Sequence, residues 1–377
     1  MSKIEQLIKE KCPNGVEYKQ LEDIVKIVKG IQLNKEKLLE EGLYPVINGG
    51  ITPSGYWHEY NHNENHITIS QGGASAGYVN FIKAKFWAGA HCYVVESYDK
   101  NINYRYIYHF LKSKEKNLLN SQIGAGIPSV SLKAINSLLI PIPPIEVQEE
   151  IVRILDKFSE LKTELETELE TRKKQYKFWN RKLLKNSNIQ GKKISQIFNR
   201  IKGTPITAKK MKEINEEKGE VRIFAGGKTA VNTSKKNIPS KDIINVPSVI
   251  VQSRGLIDFI YYDKPFSFKN EMWAYTCDNS ITTKYLYYYL KNNVSYFRRR
   301  SKKMGSMPQI SLSVTENFNI ALPPLQEQER IVKILDKFDK LINDISEGIP
   351  AEIEARRKQY EYYRNKLLSF EELKTND

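Results

Sequence analysis

A sixteen-residue word that occurs twice constrains this chain more than any other feature. Pro143-Pro144-Ile145-Glu146-Val147-Gln148-Glu149-Glu150-Ile151-Val152-Arg153-Ile154-Leu155-Asp156-Lys157-Phe158 returns as Pro323-Pro324-Leu325-Gln326-Glu327-Gln328-Glu329-Arg330-Ile331-Val332-Lys333-Ile334-Leu335-Asp336-Lys337-Phe338. Beyond each copy, apolar residues continue in steps of three and four. The first series runs Ile151, Leu155, Phe158, Leu161, Leu165, Leu169, Tyr176, Trp179, Leu183. The second runs Ile331, Leu335, Phe338, Leu341, Ile345, Ile349, Ile353, Tyr360, Tyr363, Leu367. Such spacing keeps one apolar stripe on one face of a helix. A narrow stripe flanked by Glu, Lys and Arg needs a second helix to cover it. The two long helices are therefore expected to pack on each other, with a seam of Ile151, Leu155, Phe158, Leu161, Leu165 and Trp179 against Ile331, Leu335, Phe338, Leu341, Ile345 and Tyr363.

The helix ends carry their own signals. Pro143 and Pro144 suit a first turn, and Glu146, Glu149 and Glu150 place negative charge beside its free N–H groups. Arg172-Lys173-Lys174 and Arg356-Arg357-Lys358 supply cations toward the other ends. A helix over 145–184 would be roughly 60 Å long at about 1.5 Å per residue, a strut rather than a core element.

The duplication reaches upstream. Ile127-Pro128-Ser129-Val130-Ser131-Leu132 answers Met307-Pro308-Gln309-Ile310-Ser311-Leu312, and the Tyr-rich run from Ile102 to Lys112 answers that from Ile281 to Lys291. Lys29-Gly30 answers Lys202-Gly203. A period near 180 is too long for a solenoid and implies two domains, each followed by a strut. The boundaries read as a globular domain over 1–144, a helix over 145–186, a second globular domain over 187–324 and a second helix over 325–370. Between Ile151 and Ile331 the offset is 180, but between Arg172 and Arg356 it is 184. The four extra residues fall around Glu347-Gly348-Ile349-Pro350, where a stutter, a kink or a short break is expected. Within each globular half, His66-Ile67-Thr68-Ile69-Ser70, Tyr93-Val94-Val95 and Ser248-Val249-Ile250-Val251-Gln252 read as strands, and Tyr104 to Lys112 and Thr283 to Lys291 as short helices. The fold class is α+β: two mixed domains alternating with two long helices that form an antiparallel coiled coil, in a pseudo-two-fold repeat.

A net charge of +15 over 377 residues favours an anionic partner, nucleic acid first. Cys12, Cys92 and Cys277 form no CxxC pair, so neither a disulfide framework nor a zinc ribbon is indicated, and a reducing cytoplasm is expected. No stretch reaches the roughly 18 apolar residues of a membrane span, and the N-terminus lacks the apolar core of a signal peptide.

His58-Glu59-Tyr60-Asn61-His62 has the HExxH spacing of zinc hydrolases, with His66 beyond it, but that chemistry needs a helix presenting both His on one face. Pro53, Ser54, Gly55 and three Asn make this stretch a loop. Gly227-Lys228-Thr229 resembles the end of a phosphate-binding loop, yet the first Gly of that motif would fall on Arg222, so a turn needing positive φ fits better. No methyltransferase or nuclease core is present, so no catalytic, cofactor or metal residue is assigned. Basic, amide and hydroxyl side chains on turn-rich segments are the candidates for DNA contact. They are Gln71, Ser75, Lys112 and Ser129 in the first half, and Lys228, Gln252, Arg254, Arg298, Arg299, Arg300, Lys302, Lys303 and Gln309 in the second.

Taken together, the doubled Pro-Pro-x-x-x-Gln-x-x-Ile-Val-x-Ile-Leu-Asp-Lys-Phe words, the Lys-Gln-Tyr…Lys-Leu-Leu endings at 172–184 and 356–368 and the Pro-Ser/Gln-Val/Ile-Ser-Leu words resemble the specificity subunit of type I restriction-modification systems. The resemblance covers nearly the whole chain. It implies two target-recognition domains, each reading one half of a split double-stranded DNA site, and helices that set the spacer and dock two modification subunits. S-adenosylmethionine would then sit on those partner subunits and not on this chain, and restriction subunits would join for cleavage. Because 49–100 and 226–278 differ strongly, the two half-sites should differ. The stretch from Leu7-Ile8 to Gly15, which echoes Leu183-Leu184 to Gly191, is expected to close the arrangement against the C-terminal strut. The competing readings are a basic coiled-coil scaffold for RNA or protein and a zinc hydrolase at His58 and His62.

Overall fold

A computed structural model describes residues 3–99, 101–120, 128–185, 189–227, 229–304 and 307–373. The chain divides into two units. One comprises Met1–Glu166 with Glu352–Asp377, the other Thr167–Ala351. Each unit therefore holds one globular lobe, one half of the helix Ile145–Leu184 and a helical segment from the other end of the repeat.

The lobes repeat one plan. In the first, an antiparallel sheet runs Val25–Lys29, Cys92–Ser97, His66–Ser70, Val79–Ile82; in the second, Asn199–Lys202, Trp273–Thr276, Ser248–Gln252, Asp258–Tyr262. The central strands are rich in β-branched residues and buried on both faces, as expected of strands covered on either side. A three-stranded sheet accompanies each: Gly55–Trp57, Tyr44–Ile47 and Trp87–Ala88, answered by Ala230–Thr233, Val221–Phe224 and Phe266–Phe268. In both, the last pairing is parallel.

A Tyr-rich helix lies over each larger sheet, Tyr104–Asn120 on Val79–Ile82 and Ser280–Asn292 on Ser248–Gln252 and Asp258–Tyr262. Both helices run further than the short segments expected from sequence. Their buried tyrosines find acceptors rather than water: Tyr106 donates to the Pro141 carbonyl at 3.0 Å and Tyr285 to the Ala321 carbonyl at 3.2 Å. A buried hydroxyl without such a partner would cost on the order of 1–3 kcal/mol.

The Pro-Pro-x-x-x-Gln word now has a structural reason. Gln148 donates to the Pro143 carbonyl at 2.8 Å and Gln328 to the Pro323 carbonyl at 2.7 Å, both bonds being buried. In each copy the amide ties the first turn of the arm to the first proline of the word before it. Val147, Ile151, Leu155, Leu367 and Leu368 join the first lobe's core; Leu184, Ile331, Val332 and Leu335 join the second's. Each arm thus serves as a wall of its own lobe as well as a helical partner. In the first unit Phe158 stacks on Tyr363 at 5.4 Å, and in the second Phe338 meets Tyr176 at 6.1 Å. Inside each unit, therefore, a segment of the first arm meets a segment of the second.

The arms differ where the four extra residues fall. The first is one helix of 40 residues. The second is two, Leu325–Asn343 and Ile349–Leu367. Asp344 fastens the break by accepting from the Ser346 N–H at 2.8 Å and the Glu347 N–H at 3.2 Å. Two seam assignments are corrected as a result. Ile345 is 86% exposed, because it lies in this turn and not on a helix face; Leu341 is exposed, while its neighbour Ile342 is buried. Trp179 is also on the outer surface, beside Phe178 and Lys182, since the inward phase of the first arm passes through Tyr176, Asn180 and Leu184. Leu161 and Leu165 are half-buried.

The expected closure of the chain ends is present in the first unit. Ile4, from the helix Lys3–Lys11, is buried with Leu367 and Leu368, and Lys366 pairs with Glu5 at 2.9 Å. Val16 accepts from the Leu373 N–H at 2.9 Å, and its own N–H donates to the Glu371 carbonyl at 2.9 Å.

Candidate nucleic-acid interface

In each lobe the central strand ends in a turn, and the Pro-Ser-Val or Pro-Gln-Ile word pairs with that turn. In the first lobe the Gly73 N–H donates to the Pro128 carbonyl and the Val130 N–H to the Gln71 carbonyl, each at 2.9 Å. In the second, the Gly255 N–H donates to the Pro308 carbonyl and the Ile310 N–H to the Ser253 carbonyl, again at 2.9 Å. Gly73 and Gly255 have φ of 88° and 76°, a region that side chains disfavour, so both turns need glycine at the same point. Gly72 consequently faces Ser129, and Arg254 faces Gln309, across isolated antiparallel bridges. One backbone scaffold is built twice and carries different outward side chains.

A second repeated feature fastens each lobe to its arm. Asp156 accepts from Arg105 Nε at 2.9 Å and lies 2.9 Å from Nε2 of the buried His109, whose Nδ1 is 3.1 Å from the Tyr360 hydroxyl. This network fits a neutral ring that donates from Nε2 and accepts at Nδ1. Burial alone would raise the Asp156 carboxyl, but hydrogen bonds from His109 and Arg105 outweigh it and hold it at about 2. Burial pushes the His109 imidazole down, against the pull of Asp156. In the second unit Asp336 accepts from Lys284 at 2.8 Å and from the Tyr288 hydroxyl. Burial, then the bond to Asp336, pushes that phenol up. Sequence reasoning passed over Asp156 and Asp336; their recurrence at the 180-residue offset, with Arg105 and Lys284 in matching words, was the available signal.

The family model described as the type I restriction modification DNA specificity domain matches this chain twice, over residues 13–172 and 186–355. This chain belongs to that family. A type I restriction enzyme specificity subunit of Haemophilus influenzae is 30% identical, covering 94% of this chain and 96% of its own. The EcoR124I/EcoR124II specificity subunit of Escherichia coli is 32% identical over 71% of this chain and 70% of that one. In fold, the chain is similar to the type I restriction-modification S subunit from M. genitalium, with a TM-score of 0.67 and 19% identity over 94% of this chain and 96% of that one.

Within this specificity-domain scaffold the candidate contact residues separate. Arg254, Gln309 and Lys302 come together, and a cleft of about 180 Å³ is lined by Arg300, Lys302, Gln309, Ile310, Ser311 and Val314. The basic stretch expected as a loop is instead a helix, Val294–Arg299, followed by a hairpin of Lys302–Met304 and Met307–Gln309. Arg299 is exposed at the helix end, Arg298 donates to the Ile257 carbonyl at 3.0 Å, and Arg300 lies 3.6 Å over the Tyr296 ring. Lys303 sits in the hairpin strand. Gln71 and Ser75 flank the first lobe's turn, half-buried, beside Ser129.

Two candidates are spent inside the lobes. Gln252 is buried and donates to the Gly227 carbonyl, because it ends a strand that is covered on both faces. Lys112 sits on a helix, donates to the Val79 carbonyl at 2.7 Å, pairs with Glu115 and covers the Tyr78 ring, so it is structural. Lys228 lies outside the described residues.

The zinc alternative lacks its geometry. His58 and His62 lie on non-helical chain between the strands Gly55–Trp57 and His66–Ser70, and His62 stacks on Phe86 at 5.5 Å. Among the described residues no group of His, Cys, Asp and Glu could hold a metal ion. Gly227 has φ of 71°, in keeping with a turn rather than a phosphate loop. No described helix is long and apolar enough to cross a membrane.

Proposed function

We propose that the chain is the non-catalytic recognition subunit of a cytoplasmic type I restriction-modification complex, in which each lobe reads one half of an asymmetric, split double-stranded DNA site. The repeated turn scaffold with unlike side chains at its outward positions carries this reading, since a shared backbone with altered side chains keeps the docking mode and changes the bases accepted. The paired helices set the unread spacer and dock two modification subunits, which supply S-adenosylmethionine and transfer its methyl group to adenine; this chain holds no cofactor. Restriction subunits complete the assembly. The excess of Lys and Arg, 59 against 44 Asp and Glu, supplies affinity that does not depend on sequence.

The test is to map methylated adenines in a host that carries the modification subunits, with and without this chain. A two-part motif of unlike halves around a fixed unread spacer, present only with the chain, is expected. A contiguous motif, or marks that do not depend on the chain, would refute the reading. The chain by itself should bind DNA weakly and with little sequence preference; specific nanomolar binding by the isolated chain would argue against a role that depends on the complex.

A further inference from the structure

The second lobe carries a row of three side chains, and at the places of two of them, Arg254 and Gln309, the first lobe has Gly72 and Ser129. Arg254 is opposite Gln309 across the bridge, and Gln309 is opposite Lys302 across the hairpin. Directly opposed residues of antiparallel strands place their side chains on one face, about 4.5–5.5 Å apart. The hydrogen bonds of the Arg254–Gln309 bridge belong to the flanking residues, Ser253 with Ile310 and Gly255 with Pro308, so this is the closer, non-hydrogen-bonded type of pair. An amide thus stands between two cations. Arg254 and Lys302 are exposed, and among the described residues no carboxylate pairs with either. In the first lobe the corresponding pair is Gly72 and Ser129.

The order of these groups suits base edges better than a carboxylate surface, which would match the cations but waste the central amide. In the major groove guanine offers two acceptors, O6 and N7, that fit a guanidinium fork, and adenine offers the acceptor and donor that fit a glutamine amide. Neighbouring strands are about 4.8 Å apart and stacked base pairs about 3.4 Å, so long side chains on adjacent strands can converge on adjacent base pairs. Building on the reading of the lobes as DNA-reading domains, we propose that Arg254 reads a guanine and Gln309 the adenine next to it in the half-site of the second lobe, with Lys302 on a flanking phosphate. The first lobe, with Gly72 and Ser129 at this place, makes no guanine contact from it.

The experiment uses the assembled modification complex and maps its methylated sites for the wild-type chain, Arg254→Ala, Gln309→Ala, Lys302→Ala and the double variant Gly72→Arg with Ser129→Gln. Arg254→Ala should relax one guanine position of one half-site, with roughly a ten- to hundred-fold loss of discrimination, and leave the other half-site intact. Gln309→Ala should relax the adjacent adenine. Lys302→Ala should weaken all sites alike and lessen the salt dependence. The double variant is sterically allowed, because a Cβ at Gly72 would meet no atom closer than 3.7 Å, and it should add a guanine requirement to the other half-site. An unchanged motif with Arg254→Ala, or an equal fall at every site, overturns the assignment. A wild-type complex that marks no two-part motif sinks the underlying reading, whereas an intact motif indifferent to Arg254 sinks this inference alone.

Discussion

Around Asp156 the partners are Arg105 and the buried ring of His109, whereas around Asp336 they are Lys284 and the Tyr288 hydroxyl. The carboxylate, its place in the arm and the helix that faces it are the same in both units; the donors are not. What was kept after duplication is the need for two donors on one arm carboxylate. Their identity was free to drift so long as each could reach it. The outward turns show the opposite economy, because there the backbone bonds were kept and the side chains were not.

The largest expected effects should be equal in the two units, since they probe the shared frame. Leu155→Ala and Leu335→Ala each empty a fully buried site and should cost about 3 kcal/mol, read by denaturant unfolding. A loss confined to one of them would break the equivalence of the units.

The carboxylates should then separate them. Asp156→Ala leaves a buried His and a largely buried Arg without their acceptor and should cost on the order of 2 kcal/mol. Asp336→Ala, whose site is more open to water, should cost about 1 kcal/mol after discounting for screening. Acid should separate them in the same sense. His109 is held below its ordinary value in the folded unit, so its contribution is present above about pH 6.5 and fades as the pH falls below that. Asp156, held at about 2, contributes above the unfolded carboxylate value of about 4 and loses that contribution as the pH falls toward 2. The Tyr288 phenol is pushed up and stays protonated throughout that window. The first unit should therefore loosen between about pH 6.5 and 4 before the second does, as read by hydrogen exchange, and His109→Gln should remove the upper part of that response. Parallel acid responses would contradict this account.

The break in the second arm supplies a third contrast. A Cβ on Gly348 would lie 2.6 Å from the Asp344 and Lys340 carbonyl oxygens, both of them backbone atoms. Gly348→Ala should therefore destabilise the second unit by about 1–2 kcal/mol through overpacking. The continuous first arm offers no counterpart. The smallest contrast is between the two glutamines at the arm starts. Gln148 both donates to Pro143 and accepts from the Asn103 N–H, whereas the Gln328 oxygen is buried without a partner. Gln148→Ala should cost about 1 kcal/mol more than Gln328→Ala in thermal unfolding.

The frame was legible because it is written twice. The apolar steps pointed to the long helix found over Ile145–Leu184, and the β-branched runs located the two central strands. What escaped depends on phase and on distant partners. Periodicity averaged over the first arm put Trp179 on the inner face, one residue out of register with Asn180. The same steps carried a helix through Ile345, where Asp344 in fact turns the chain. Asp156 was hidden in a charged word, with its donors some fifty residues upstream. Gln252 and Lys112 have the side-chain types of a DNA contact, and only the fold reveals that their hydrogen bonds are already used.

The central claim, that each lobe reads its own half-site, is tested most directly by giving one chain the same lobe twice. The second half of the repeat would be replaced by a copy of residues 13–184, and the methylated motif of the assembled complex would be sequenced. The account predicts a symmetric motif made of two inverted copies of the first half-site. A motif that keeps the second half-site in the absence of the second lobe would contradict it.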